Sequence, residues 1–359
     1  MRALKTAGAP YHIVGVGGDL MGEQGVELLA HVERLAVMGF VEPLRHIRRF
    51  MRLRRLLRQR IESGAVALVV LIDFGGFNLA IADIAARAGV PVLYFITPQV
   101  WASRAGRLAR LARTVSRAAV ILPFEEALLR AHGIDATFVG HPLLDRAAQL
   151  PDRDAARLAL GVAPDARLLV LFPGSREQEI ARHLDQFVAA ARELQRRDPE
   201  LTVLVSAAPH VSIPIERCPY PLVRSASFTL LRAADAAMCK SGTTTLEAAI
   251  ALCPLIVAYR TSAVEFWLAR RIVQIRFIGL VNIVAGREIV REFVQDALVP
   301  SRIADALEPL LDRASPARAE LVRQLTLVRD LLGTPGAATR VAAMAMELAE
   351  GGARHPAIR

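Results

Sequence analysis

Apolar, β-branched runs alternate with Ala-, Arg- and Leu-rich stretches of helical periodicity through most of the chain. The runs His12–Val16, Val66–Ile72, Pro91–Ile96, Ala119–Leu122, Ala136–Val139, Leu168–Phe172, Leu201–Ser206, Ala236–Cys239 and Leu255–Ala258 are continuously apolar. Continuous rather than alternating runs predict strands buried on both faces, and the helical stretches between them predict parallel crossovers. The expected class is therefore α/β, doubly wound. Residues 141–166, HPLLDRAAQLPDRDAARLALGVAPDA, break the alternation with three prolines and a short helix before a fresh strand at Leu168. We read a linker there, between Rossmann-like halves at 1–150 and 151–335. A tail, 336–359, follows a Gly/Pro break at Gly333–Gly336 and carries a last helix, Ala337–Glu350, expected to pack back on the first half or on a partner subunit.

At 359 residues the chain exceeds what one hydrophobic core usually serves, in keeping with two domains. Its 53% hydrophobic content and mean hydropathy of +0.34 leave apolar surface over for a greasy partner. The longest uncharged apolar stretch, Ala248–Tyr259, is too short to span a bilayer and contains Pro254. The first residues, MRALKTAGAPYHIV, do not read as a signal peptide. Cys218, Cys239 and Cys253 form no paired framework and read as reduced core thiols of a cytosolic protein.

The net charge of +10 is concentrated. Between Arg45 and Arg60, eight arginines surround Leu44, Ile47, Met51, Leu56, Leu57 and Ile61 at helical spacing, a basic amphipathic helix. Three readings compete: a solvated helix packed on a sheet, a nucleic-acid patch, and a surface that docks on anionic lipid. The absence of interleaved aromatics, zinc ligands or a recognisable module counts against nucleic acid.

Two strand-to-helix turns carry candidate chemistry. In LLVLFPGSREQEI (Leu168–Ile180), Gly174, Ser175 and Arg176 put backbone amides, a hydroxyl and a guanidinium where a strand gives way to a helix, a place suited to an anion. A helix cap with a solvated arginine is the plainer alternative. In AAMCKSGTTTLEAA (Ala236–Ala249), Ser241, Gly242, Thr243 and Thr244 form a second such turn, without the order of a Walker loop. One turn on, Glu247 is placed to accept both hydroxyls of a ribose, although an acidic residue there also suits the helix dipole. A nucleoside diphosphate across the second half accounts for both turns. No convincing metal-binding carboxylate pair accompanies them, so neutralisation falls to the helix dipoles and Arg176, and neither metal nor cofactor is expected. In the first half, Asp73 ends a strand in LIDFGGFN and suits a general base, or equally an N-cap. The early run IVGVGGDLMGEQG has Gly15, Gly17 and Gly18 but Leu20 where a dinucleotide fingerprint needs glycine.

These residues, with LAVMGFVEPLRHIRRF (Leu35–Phe50), TPQVWA (Thr97–Ala102), LPFEE (Leu122–Glu126), VGHPLLD (Val139–Asp145) and NIVAGREIVREFVQ (Asn282–Gln295), resemble the lipid-A-disaccharide synthase family, in order and over nearly the whole chain. The resemblance implies a GT-B glycosyltransferase with an interdomain cleft. It implies inverting transfer of 2,3-diacylglucosamine from its UDP derivative to 2,3-diacylglucosamine 1-phosphate, giving the β-1,6 disaccharide 1-phosphate and UDP. Asp73 would be the base; Ser175, Arg176 and Ser241–Thr244 would hold the diphosphate and Glu247 the ribose; Asn282 and Arg287 would face the donor. It further implies a cytoplasmic protein peripheral on the anionic inner face of the bacterial inner membrane, and a possible homodimer. Another UDP-sugar transferase or epimerase of this fold, or a non-catalytic basic membrane-binding protein, is the alternative. Three departures stand out: Gly75 replaces a usual proline, Ser103 replaces a usual tryptophan, and the family's first strand and GE-x-SGD loop, roughly 25 residues with their helix, are expected before residue 1 and not found.

Overall fold

The computed structural model describes residues 1–32, 43–103, 105–148, 150–209, 211–224, 226–262, 265–267 and 276–353. Segment 33–42 and the side chains of Leu44, Arg45, Ile47 and Ser103, on which several expectations bear, lie outside the described ones. The chain divides into two compact units, one of Met1–Gly140 with Gly336–Arg359 and one of His141–Pro335.

The first unit holds two parallel sheets. β1 (Val14–Gly17) pairs with β2 (Glu27–His31), and β3 (Val69–Ile72), β4 (Val92–Phe95), β5 (Arg117–Val120) and β6 (Ala136–Phe138) follow one another in a second sheet. On one face of the second sheet, Leu71, Val92, Tyr94, Ala118 and Val120 join Leu79, Ile84 and Leu111 in a core. On the other, Leu93 and Ala119 meet Val341, Met344 and Ala345 of the helix Ala337–Ala353, so the tail packs within the first unit.

In the second unit β7 (Leu168–Phe172), β8 (Thr202–Ser206), β9 (Leu222–Val223), β10 (Ala236–Lys240), β11 (Leu255–Tyr259) and β12 (Glu292–Val294) form one parallel sheet, in the order β12-β11-β10-β7-β8-β9. All five residues of β7 are buried, as its unbroken apolar run predicts. The edge strands β9 and β12 and the short β2 escaped the hydrophobic pattern because runs of two to five residues carry too little of it.

The expected linker at 141–166 is corrected. It contains two helices, Leu143–Ala147 and Arg153–Ala159, and lies within the second unit. Residues 141–150 therefore belong with the second unit, not the first: Leu143 and Leu144 are buried, and their helix packs on the helix Thr244–Ala251. His141 anchors this entry. Its amide donates to Leu332 O at 2.9 Å, and its Nδ1 accepts from the Leu143 amide at 3.2 Å. Burial lowers the His141 pKa from 6.5 to about 4, so folding favours the neutral ring. The unfolded chain then binds the extra proton between those values. Stability is expected to be complete above pH 6.5 and to fall by about 3 kcal/mol as the pH drops to about 4, with His141→Gln flattening that slope in pH-dependent denaturant melts.

Candidate functional site

Because β7 and β10 are neighbours, with Cys239 opposite Phe172, the turns that follow them lie side by side at the carboxyl edge of one sheet. The first turn leads into the helix Glu177–Arg197 and the second into Thr244–Ala251. Gly174 has φ +138°, and a Cβ there would stand 2.5 Å from Glu179 Cβ, so only glycine lets the turn close against the helix. Arg176 is 81% exposed at its side chain and extends from the N-cap position.

Glu179, which sequence reasoning passed over, organises this turn. Its Oε2 accepts from the Ser175 amide at 2.9 Å, its Oε1 accepts from Lys240 Nζ at 3.0 Å, and Arg176 Nη1 lies 3.7 Å from Oε1. Burial alone would raise the Glu179 pKa, but the Ser175 amide and Lys240 reverse that and hold it below the ordinary value. One turn on, buried His183 donates from Nδ1 to Glu179 O at 2.7 Å and accepts the Arg260 amide on Nε2 at 2.9 Å, tying β11 to the same helix.

In the second turn, Ser241 Oγ donates to Ile278 O at 2.6 Å, so its hydroxyl proton fastens a neighbouring loop. Thr243 is the N-cap of the following helix and Thr244 its first residue; Gly242 O accepts Thr245 Oγ1 at 2.8 Å. Glu247 is 7% exposed and is approached by Arg146 Nη1 at 3.7 Å, a partner no motif indicated.

Asn282, expected to face the donor, has its side chain engaged within the second unit. It is fully buried; its Nδ2 donates to Val290 O (2.7 Å) and Glu292 Oε1 (2.9 Å), and its Oδ1 accepts the Ile289 and Val290 amides, both at 2.9 Å. With its hydrogen-bonding capacity filled, it shapes the 286–290 loop. Glu292 completes that work by accepting the Ile278 and Gly279 amides. Arg287, on the exposed loop, donates to Gln324 Oε1.

In the first unit, Asp73 follows β3 with φ 51°, and Phe74 follows with φ 48°. Left-handed backbone at two non-glycine residues is costly and gathers at functional turns. It is held by Asn78 Nδ2 (2.7 Å) and Tyr94 OH (2.9 Å) donating to Asp73 O, and by the Asp73 amide donating to Phe95 O at 3.0 Å. Burial and then the Asp73 charge push the Tyr94 phenol well above its usual range, so it stays a donor. The Asp73 carboxylate is exposed and makes no hydrogen bond or ion pair among the described residues, and Phe74, not Asp73, is the N-cap of the next helix. Gly75 opens that helix, where a Cβ would come within 2.9 Å of Pro98 Cγ; the glycine lets the turn abut the Thr97–Ala102 segment. Among the described residues there is no group of His, Cys, Asp and Glu that could hold a metal ion, and no helix long and apolar enough to cross a membrane.

Comparison with known proteins gives this geometry a family. The family described as lipid-A-disaccharide synthetase matches residues 1–335. A lipid-A-disaccharide synthase of Trichlorobacter lovleyi is 37% identical, over 98% of this chain and 93% of its own. One of Syntrophus aciditrophicus is 39% identical, over 93% and 89%. Among solved structures, Medicago truncatula UGT71G1 complexed with UDP-glucose aligns with a TM-score of 0.62 at 13% identity, covering 97% of this chain and 94% of that one. Acinetobacter baumannii MurG aligns at 0.56 and 12% identity, covering 94% and 100%. These likenesses give the GT-B fold. With its whole-length relatives more than a third identical, the chain belongs to the lipid-A-disaccharide synthase family of glycosyltransferases.

Proposed function

We propose that the chain makes the lipid A disaccharide with Asp73 as base and the paired turns of the second unit as donor site. The observation that carries this reading is the adjacency of the β7 and β10 turns, which sets two helix N-termini and Arg176 along one sheet edge, where a diphosphate would be received. The Gly174 and Arg176 amides, the Arg176 fork and the Thr243–Thr244 amides receive the phosphates, and Glu247 takes the ribose hydroxyls. Asp73 accepts the proton of the acceptor's 6-hydroxyl as its oxygen attacks the anomeric carbon. That single in-line displacement inverts the centre, and UDP departs onto the cradle that holds its charge. UDP titrated into the protein calorimetrically should bind, and Arg176→Ala should weaken it about 10- to 100-fold through loss of a charge-assisted fork. Affinity untouched by Arg176→Ala and Glu247→Ala would remove the donor site from this place.

The acylated substrates call for a lipid surface, and the helix Pro43–Glu62 supplies one with the right charge. Leu53 and Ile61 are buried in the first unit, while Met51 (53% exposed) and Leu56 (39%) stand among exposed arginines including Arg52, Arg54 and Arg55. Such a face fits an anionic inner leaflet at the cytoplasmic side. The protein should float with phosphatidylglycerol vesicles and not with phosphatidylcholine, and both salt at about 0.5 M and Met51→Ser with Leu56→Ser should reduce flotation. Equal flotation with both lipids would contradict this assignment.

A further inference from the structure

We infer that Lys240 is a further cation for the donor's diphosphate, held between the two turns by Glu179. The inference rests on the donor-site reading above and adds a residue to which the sequence reading gave no role. Lys240 is the last residue of β10 and 21% exposed at its side chain. Its ammonium reaches Glu179 Oε1 at 3.0 Å on the side of the first turn. It also stands 3.7 Å from the position a Cβ would take on Gly242, so it passes directly over the second turn. Lys240 thus carries a positive charge at the junction of the two cradles.

The charge balance there points to an anion. Arg176 and Lys240 meet one carboxylate, Glu179, while Glu247 is approached by Arg146 on its own. An ammonium has three protons to donate, and the contact with Glu179 uses one. The others remain for phosphate oxygens lying along the sheet edge. Glu179 itself is fixed by the Ser175 amide and, through its backbone, by His183, so the lysine is aimed before any ligand arrives. Pre-aiming a flexible lysine removes the ordering cost that would otherwise weaken its contact. Glu179 is in this account a positioning residue.

The test compares UDP with uridine, which lacks the phosphates, on the full chain by calorimetry. Lys240→Met should weaken UDP about 10- to 100-fold, leave uridine within about twofold, and flatten the salt dependence of UDP binding. Lys240→Arg should recover most of the UDP affinity, which also shows that the site tolerates substitution. Equal losses for UDP and uridine would mean that Lys240 only shapes the turn, and an unchanged UDP affinity would mean that it does not reach the phosphates; either overturns the inference while the donor-site reading survives. Absence of UDP binding by the unmodified protein overturns that reading and this inference with it.

Discussion

Asp73→Asn should lower the rate of disaccharide formation by a factor on the order of 10² to 10⁴, the usual contribution of a positioned general base. The substitution keeps the shape of the side chain and removes only its ability to take a proton. Because the carboxylate is exposed and makes no hydrogen bond or ion pair among the described residues, the melting temperature should stay within about 2 °C, in line with a surface substitution. The strained turn should also persist, since Asn78, Tyr94 and Phe95 hold the backbone of residue 73 and not its side chain. UDP affinity should be unchanged, because every residue assigned to the diphosphate belongs to the second unit. Steady-state transfer assays, with melts and UDP titrations beside them, separate these effects. A variant within about tenfold of the unmodified rate would place the base elsewhere.

The largest effect on stability is expected at Asp235, far from any assigned chemistry. It is fully buried, and Arg153, Arg157 and Arg313 converge on its carboxylate at 2.6, 2.7 and 2.9 Å, with the Leu168 amide at 2.9 Å. Arg157, 1% exposed, also donates to Ala233, Ala163, Pro164 and Ala166 carbonyls, so one guanidinium stitches the helix Arg153–Ala159 to the sheet. Burial alone would raise the Asp235 pKa, but the Arg313 and Arg153 hydrogen bonds and the Leu168 amide bring it down to about 2. Asp235→Ala strands Arg157 without its counter-charge and should cost about 3–5 kcal/mol in denaturant melts. A folded pKa below the unfolded one means that this contribution is present above about pH 4 and lost as the pH falls through about 2. That window lies below the one set by His141, so the two are separable in one pH series. A loss under about 1 kcal/mol would show that the cluster is incidental.

The sheet strands were legible because their side chains are apolar on both faces, as in Leu168–Phe172 and Leu255–Tyr259. Both strand-to-helix turns of the second unit were legible because glycine and hydroxyl residues sit between a strand and a helix. What stayed hidden depends on contacts that only folding makes. Glu179 looks like any first-turn acid until the helix closes on Gly174, and Lys240 gains its reach from the adjacency of β7 and β10. The family resemblance alone gave Asn282 a place facing the donor, and its burial with four internal hydrogen bonds is a contact pattern that only folding makes. Residues 141–150 were left outside the second domain by a linker reading based on the prolines of 141–166, while two buried leucines decide for the second.

The most direct measurement incubates the protein with UDP-2,3-diacylglucosamine and 2,3-diacylglucosamine 1-phosphate and follows both products by mass. A β-1,6-linked disaccharide 1-phosphate should form, with one UDP released for each disaccharide. UDP released without disaccharide, or a sugar passed equally well to an acceptor without acyl chains, would contradict the proposed transfer.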